Sequence, residues 1–359
     1  MRFNFMPPFY NAFSAILLKR SIFMKRMKFK KYSFLLIISF SLSFVSQTKK
    51  IKGLSFVASG DSISSQHVHP VLRTNSNFVA LMPYGYIREL TTPEIIYKNN
   101  WQWFGETKKG LLQYAKRFQE EKIRIMVKPH IWVSKGSYTG NIEMENEEDW
   151  ILLEDSYRTY ILYYAKAAAE LDAEIFCIGT ELAKFVAKRP EYWRQLIQEI
   201  RLLYKGKLTY AANWDEFKRV SFWSDLDFIG IDAYFPLSDK RTPTVAEYEL
   251  GWSEHKQQII KVQKQFKKPV IFAEFGYRSV DFNGEKPWDS EDIEATINLQ
   301  AQVNALQAIY NQFWNERWFA GGFIWKWFHN HTAVGGEKNN RFTPQNKPAE
   351  ELIKKLYGL

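Results

Sequence analysis

Eight short apolar runs recur along the chain after residue 50, and most of them are separated by segments with helical spacing. Each run is rich in β-branched or aromatic residues and carries little charge, which is typical of strands buried on both faces of a parallel sheet. The eight predicted strands cover residues 54–58, 78–82, 123–128, 175–179, 208–212, 228–231, 270–273 and 322–325.

The intervening segments repeat apolar positions every three or four residues, which predicts amphipathic helices. The clearest example follows Pro190, a residue suited to a helix start, where Trp193, Leu196, Ile200 and Leu203 share one face. The predicted helices cover residues 108–122, 149–171, 190–203, 253–266 and 299–313. Strands that alternate with helices over about 300 residues favour an α/β fold of the (β/α)8, or TIM-barrel, type in a single domain.

A doubly wound sheet is the main alternative fold. Such a sheet normally carries a glycine-rich phosphate turn after its first strand, and residues 54–60 contain no such turn. The links are also uneven, because the first is long and irregular and the fifth is short. The barrel remains the favoured interpretation.

Composition limits the chemistry that the chain can perform. Among 359 residues there is one cysteine, Cys177, and six histidines, which excludes an intramolecular disulfide and any zinc site with two thiolates. We therefore expect no metal and no organic cofactor. The net charge of +10 is concentrated in residues 1–46, which hold eight Lys or Arg and no Asp or Glu. Because the remainder is nearly neutral, we expect no nucleic-acid partner.

The basic N-terminal segment has the order of a secretory signal peptide. A cationic cluster at residues 25–31 precedes an apolar run at 34–45, and Ser43 and Ser46 supply small residues for cleavage. The run is short for a membrane span, although a retained anchor stays open as the alternative. We predict a leader at 1–46, with the signal peptide at about 24–46 and an upstream misassigned start at 1–23. The barrel domain would then cover 47–359, secreted or periplasmic, without a membrane anchor after cleavage.

Two glutamates stand where catalytic groups of such barrels are found. Glu181 follows the fourth predicted strand and Glu274 follows the seventh, and active groups lie at the C-terminal ends of barrel strands. A charged group beside an apolar strand is costly to bury without a partner. Two facing carboxyls are the pair that retaining glycoside hydrolysis requires, one as acid and one as nucleophile. The alternative is that either glutamate is a buried salt-bridge partner.

Several segments around these glutamates resemble one family of enzymes. Residues 177–182 (CIGTEL), 232–236 (DAYFP) and 271–277 (IFAEFGY) resemble the retaining (β/α)8 glycosidases of the clan that includes cellulases and mannanases. Together with 101–106 (WQWFGE), 213–217 (NWDEF) and 342–349 (FTPQNKPA), they make the chain similar to glycoside hydrolase family 113 from about residue 53 to 357. The resemblance implies a β-mannanase-like activity in which Glu181 is the acid/base and Glu274 is the nucleophile.

The chain departs from this clan at one position. Thr180 stands where many relatives have an asparagine that contacts the sugar 2-hydroxyl, and Asn213 is our candidate for that contact. The other predicted substrate-binding residues are three aromatic platforms, one tyrosine that could also contact Glu274, and two residues expected to reach sugar hydroxyls. They are, in that order, Trp103, Trp214 and Trp325, then Tyr234, then Lys128 and His130.

The resulting hypothesis is a monomeric, secreted, retaining hydrolase of β-1,4-mannan or manno-oligosaccharides, with an oligo- or polysaccharide as its partner. One alternative is a hydrolase of β-glucan or another β-glycoside, and a second is a non-catalytic carbohydrate-binding barrel. The pair His67 and His69 also suggests a metal-dependent amidohydrolase, but the fifth and sixth strands lack the histidines which that chemistry needs. Endo and exo cleavage both remain open.

Overall fold

The computed structural model describes residues 49–290, 292 and 294–359, so the predicted leader lies outside the described residues. Eight of its strands pair in parallel and close a barrel in the order β1-β10-β9-β8-β7-β6-β4-β2, while β3 and β5 pair separately. The strands are β1 (Ile51–Phe56), β2 (Phe78–Leu81), β3 (Tyr84–Ile87), β4 (Arg124–Val127), β5 (His130–Val133), β6 (Ile175–Thr180), β7 (Lys207–Asn213), β8 (Ile229–Asp232), β9 (Val270–Phe275) and β10 (Phe319–Trp327). All eight predicted strands, and the predicted barrel, are confirmed.

The sequence did not predict β3 and β5, which continue β2 and β4 beyond the barrel. Pro83 and Pro129 separate each barrel strand from its extension. Because proline cannot donate to a strand ladder, the barrel pairing ends there, and the chain resumes as a second parallel pair with Tyr84 opposite His130. This extension carries aromatic side chains beyond the barrel mouth.

Eight α-helices surround the barrel within the described part of the chain. They are α1 (Ser65–Arg73), α2 (Lys108–Glu120), α3 (Glu147–Glu170), α4 (Ala183–Lys188), α5 (Pro190–Leu203), α6 (Val245–Phe266), α7 (Leu299–Phe313) and α8 (Pro348–Gly358). The five predicted helices are present. Helix α6 begins eight residues earlier than predicted, because Thr244 and Glu247 form a reciprocal capping box at its start.

The three missed helices have weak sequence signals. Helix α4 is only six residues long, which is too short to show a period, and α1 contains Pro70. Helix α8 starts at Pro348 in a segment to which the sequence assigned no element. None of the described helices combines the length and the apolar character that a membrane crossing requires.

The core has an inner and an outer layer. Inside the barrel, buried side chains such as Phe78, Met126, Ile271 and Phe323 pack together, which fills the centre as in other barrels of this size. Large aromatic residues, including Trp193 and Trp252, fill the layer between strands and helices. A filled interior leaves the mouth formed by the strand C-termini as the place for a site.

Candidate active site

Four charged side chains converge at the C-terminal mouth of the barrel. Lys128 follows β4, Glu181 follows β6, Asp232 ends β8 and Glu274 lies within β9. A register shift between β8 and β9 sets Asp232 opposite Glu274. The structure therefore brings the two predicted glutamates into one charged cluster together with an acid and a base.

Glu274 is held on both carboxylate oxygens. The Lys128 ammonium donates to Oε1, and the Tyr234 hydroxyl donates to Oε2 over 2.8 Å. The His130 Nε2 atom lies 3.5 Å from Oε1. Because Glu274 is only 5% exposed, these contacts replace water and stabilise its negative charge in a fixed orientation.

Lys128 is completely buried, which corrects the expectation that it contacts sugar hydroxyls. Its ammonium donates to Glu274 and lies 3.3 Å from Asp232 Oδ2. Burial alone would lower the pKa of Lys128, but the carboxylates of Asp232 and Glu274 attract its charge and raise the pKa overall. Lys128 thus lies beneath the site as a fixed positive charge.

Glu181 lies in a different environment from Glu274. Burial and the neighbouring charges of Asp232 and Glu274 raise its pKa well above the ordinary value, against the opposing attraction of Lys128. Within the described part of the chain, its carboxyl accepts no hydrogen bond and pairs with no cation, and the residue is partly exposed. Glu181 is therefore the carboxyl inclined to keep its proton, while Glu274 is the carboxyl that accepts from two donors.

The backbone at Glu181 is fixed by a second network. Glu181 adopts a left-handed conformation (φ +51°), which is uncommon for a residue other than glycine. The next amide, Leu182 N–H, donates to the Tyr210 hydroxyl over 2.7 Å, and Tyr210 donates to Glu216 over 2.8 Å. Burial raises the pKa of Glu216 to about 7, although hydrogen bonds from Tyr210 and Asn213 oppose the shift. The sequence did not identify Tyr210 or Glu216.

Asn213 lies at the end of β7 on the Glu181 side of the mouth. Its amide nitrogen donates to the Tyr138 hydroxyl over 2.7 Å, and its oxygen accepts from Trp214 N–H. Burial and the charge of Glu181 raise the pKa of Tyr138, which places that tyrosine near the same carboxyl. The Thr180 hydroxyl is buried and has no partner among the described residues. Asn213 and Tyr138 therefore supply the polar groups beside Glu181.

An aromatic cleft opens next to Glu274 and has a volume of about 440 Å³. It contains two of the predicted platforms, Trp103 and Trp325, and the Trp325 ring lies parallel to that of His130 at 6.0 Å. Burial and the nearby charges of Lys128 and Lys326 lower the pKa of His130. The sequence missed four further aromatic residues that line the cleft: Tyr84, Tyr86, Trp101 and Trp132. Three tryptophans, Trp101, Trp103 and Trp132, are more than half exposed, which is typical of a binding surface.

Trp214 does not line the aromatic cleft. It follows β7 and stacks on the ring of Trp288 at 5.3 Å with an interplanar angle of 15°. Trp288 is 45% exposed, so this pair forms a separate aromatic surface. The predicted platforms thus divide between two surfaces, with Trp103 and Trp325 on one and Trp214 on the other.

The described residues contain no group of three or more His, Cys, Asp or Glu side chains placed to hold a metal ion. The His67 Nδ1 atom accepts from the Ser64 backbone at the start of α1. His67 is therefore engaged in local structure, and the site's chemistry is that of paired carboxyls beside an aromatic cleft.

Comparisons with known proteins agree with this arrangement. The model of Glycoside Hydrolase Family 113 matches residues 60–347. The solved GH113 β-mannanase AaManA from Alicyclobacillus acidocaldarius, in complex with ManMIm, is 23% identical with a TM-score of 0.75, covering 86% of this chain and 97% of that chain. A second GH113 β-1,4-mannanase is 24% identical with a TM-score of 0.74, covering 86% and 99% of the two chains.

A more distant solved structure, a β-glucuronidase from Ruminococcus gnavus, is 14% identical with a TM-score of 0.54, covering 86% of this chain and 49% of that one. At these identities the solved structures show a shared fold. No curated protein sequence matches the chain. The family match covers most of the residues that form the barrel and its mouth.

The Tyr210 network can be tested through stability. Tyr210→Phe should lower the free energy of unfolding by about 1–3 kcal/mol, because the Leu182 amide and the Glu216 carboxyl both lose a buried partner. Tyr277 provides the matched control, since it is equally buried but its hydroxyl has no partner among the described residues. Urea denaturation of Tyr277→Phe should show no loss. Equal effects of the two substitutions would contradict the assigned network.

Proposed function

The chain belongs to glycoside hydrolase family 113, and from that premise we propose that it cleaves β-1,4-mannan or manno-oligosaccharides with retention of configuration. The observation that carries the mechanism is the unequal environment of the two glutamates. Glu274 is fixed by Lys128 and Tyr234, whereas the pKa of Glu181 is raised by burial and by its acidic neighbours. The choice of mannan is supported by the two GH113 mannanases that share the fold.

In the first step, the Glu274 carboxylate attacks the anomeric carbon while Glu181 gives its proton to the departing glycosidic oxygen. The product is a glycosyl ester on Glu274 and a free sugar end. In the second step, Glu181, now ionised, takes a proton from water, and the resulting hydroxide equivalent displaces Glu274. Two inversions at one carbon give net retention.

The raised pKa of Glu181 suits this alternation. When Glu274 becomes an ester it loses its negative charge, and this charge no longer raises the pKa of Glu181. The pKa of Glu181 then falls, which favours its ionised form for the second step. Asp232 and Lys128 form no bond to the sugar in either step, and Lys128 orients Glu274 through its hydrogen bond to Oε1.

The aromatic cleft is the proposed sugar-binding surface. The Trp325 ring next to His130 provides a flat platform close to Glu274, and Trp101, Trp103 and Trp132 extend the apolar surface outward. Asn213 and Tyr138 lie beside Glu181 and are the proposed donors to hydroxyls on that side. Trp214, stacked on Trp288, is proposed as an outer contact.

We also propose that the protein is exported. The support is the basic cluster at residues 25–31, followed by the apolar run at 34–45. Removal of this segment would release the barrel domain of residues 47–359 outside the cytoplasm. Polysaccharide substrates are found there. No disulfide is needed there, because the chain has a single cysteine.

Kinetics of two variants test the assigned roles. Glu274→Gln should lower kcat on manno-oligosaccharides by several orders of magnitude, because no nucleophile remains. Glu181→Gln should slow an unactivated oligosaccharide far more than an aryl β-mannoside, whose leaving group needs no proton. Glu174→Gln is the matched control, since Glu174 precedes the same strand that Glu181 follows. Similar losses on both substrates would reject the acid role of Glu181, and unchanged turnover in Glu274→Gln would reject Glu274 as the nucleophile.

The pH profile tests the charge cluster. Glu181 must be protonated to act as acid, so its pKa sets the alkaline limb of kcat/KM. Asp232→Asn removes a charge that raises this pKa, and the alkaline limb should therefore move to lower pH. The Glu174→Gln control should keep the wild-type profile. A limb that stays in place or moves to higher pH in Asp232→Asn would contradict the assigned coupling.

A further inference from the structure

We propose that a positively charged cavity beside Glu274 binds an anionic group carried by the sugar chain, so that the preferred substrate is an acidic β-glycan. This proposal deepens the proposed function and rests on it. The cavity has a volume of about 470 Å³, and its lining includes Lys326, Arg341, Asn339, Phe328 and Phe342. We call it the cationic cavity.

Among the described residues, the lining holds two cations and no acid. Lys326 makes no hydrogen bond and no ion pair within the described residues, and its ammonium lies 5.0 Å from the Trp325 ring and 5.5 Å from the Phe328 ring. Burial lowers the pKa of Lys326, and the charge of Arg341 opposes the attraction of Glu274. An ammonium surrounded in this way has donors available for a ligand.

Arg341 is also largely free to bind. Across the described part of the chain its guanidinium makes one hydrogen bond, from Nη1 to the Ser290 carbonyl oxygen over 2.9 Å, and no ion pair. Its backbone is fixed, because its N–H donates to Asn339 and its carbonyl oxygen accepts from Lys347. The guanidinium is therefore presented from a rigid loop with most of its donors unused.

Two further basic side chains, Lys347 and Arg278, lie behind the cavity. Lys347 is buried, and within the described part of the chain it bonds only neutral oxygens, those of Ser279 and Arg341; burial lowers its pKa to about 7. Arg278 is buried against backbone carbonyls, with Asp289 and Asp292 as attracting acids. Bringing cations together in a partly dry region is unfavourable unless an anion joins them.

The cationic cavity adjoins the reacting centre. Lys326 lines both this cavity and the aromatic cleft, and it follows the Trp325 platform directly. On the other side, the Phe342 ring contacts that of Tyr234 at 6.0 Å, and Tyr234 donates to Glu274. A sugar seated on Trp325 and reacting at Glu274 would therefore direct a substituent into the cavity.

The charge of Glu274 accounts for Lys326 but not for Arg341. The negative charge of Glu274 attracts the Lys326 ammonium, so the proposed nucleophile alone explains why one cation lies at this edge. Arg341 has no such partner among the described residues, and a guanidinium is suited to grip a planar carboxylate or a sulfate through two parallel hydrogen bonds. A uronate and a sulfate ester share this chemistry, and a neutral hexose does not.

The test compares three manno-oligosaccharides of equal length: one neutral, one with a glucuronate branch and one with a sulfate ester. Wild type should have the highest kcat/KM on an acidic substrate, and added salt should reduce this preference. Arg341→Gln should lower kcat/KM on the acidic substrate by roughly tenfold or more, as loss of a charged hydrogen bond does, and should change the neutral one by less than about twofold. Whichever acidic oligosaccharide is preferred shows whether the cavity binds a uronate or a sulfate ester.

Two further variants keep the result interpretable. Lys338→Gln removes an exposed cation from the same loop that does not line the cavity, and it should leave both substrates unaffected. Arg341→Lys keeps the positive charge but loses the paired donors of the guanidinium, and it should retain part of the preference for the acidic substrate. Equal or better cleavage of the neutral substrate by wild type, with Arg341→Gln affecting all three alike, would overturn the proposal.

Failure of the proposed function gives a different result. If folded wild type hydrolyses none of the three, the mannan assignment is wrong, and calorimetric binding of the two acidic oligosaccharides then decides the cavity's role. Binding that is lost in Arg341→Gln and kept in Lys338→Gln supports the cationic cavity. Absence of binding, or binding insensitive to Arg341, overturns it.

Discussion

The site depends on one buried ammonium shared between two carboxylates. Lys128 contacts Glu274 and Asp232 with no exposed surface of its own. A buried charge of this kind is tolerated only when it is fully paired, so its position and those of its partners are mutually fixed. With Glu181 nearby, three carboxyls lie close to this one buried ammonium. We propose that this excess of acidic groups, together with burial, makes the two glutamates differ.

The ammonium and the three carboxyls come from separate strands, and neighbouring side chains hold them in place. The Tyr234 hydroxyl completes the shell of Glu274, while Tyr210 and Glu216 fix the turn that follows Glu181. Among the described residues the Glu181 carboxyl has no hydrogen-bond partner, and burial together with the charges of Asp232 and Glu274 raises its pKa. Two clefts then flank Glu274, one aromatic and one cationic, and Lys326 lines both. The proposed catalytic residues and the proposed anion-binding cavity are therefore adjacent, and among the described residues they share none.

The strands and the two glutamates could be predicted because their signals are local. An apolar run marks a barrel strand, and a glutamate directly after such a run marks a strand exit. Lys128 was misassigned because its partners are 104 and 146 residues away in the sequence, and no pattern in one strand reveals a charge supplied by another. Only two of the six aromatic residues that line the aromatic cleft were predicted, for a similar reason. Pro83 and Pro129 precede an extra strand pair, and that pair brings Tyr84, Tyr86 and Trp132 over the mouth.

We propose that Glu274 forms a covalent bond to the sugar. The most direct measurement is mass spectrometry of peptides after incubation with 2-deoxy-2-fluoro-β-mannosyl fluoride, which forms the ester quickly and releases it slowly. We expect one adduct, on the peptide that contains Glu274, in which the carboxylate oxygen has displaced the anomeric fluoride. An adduct on another residue, or hydrolysis with inverted configuration and no adduct, would contradict it.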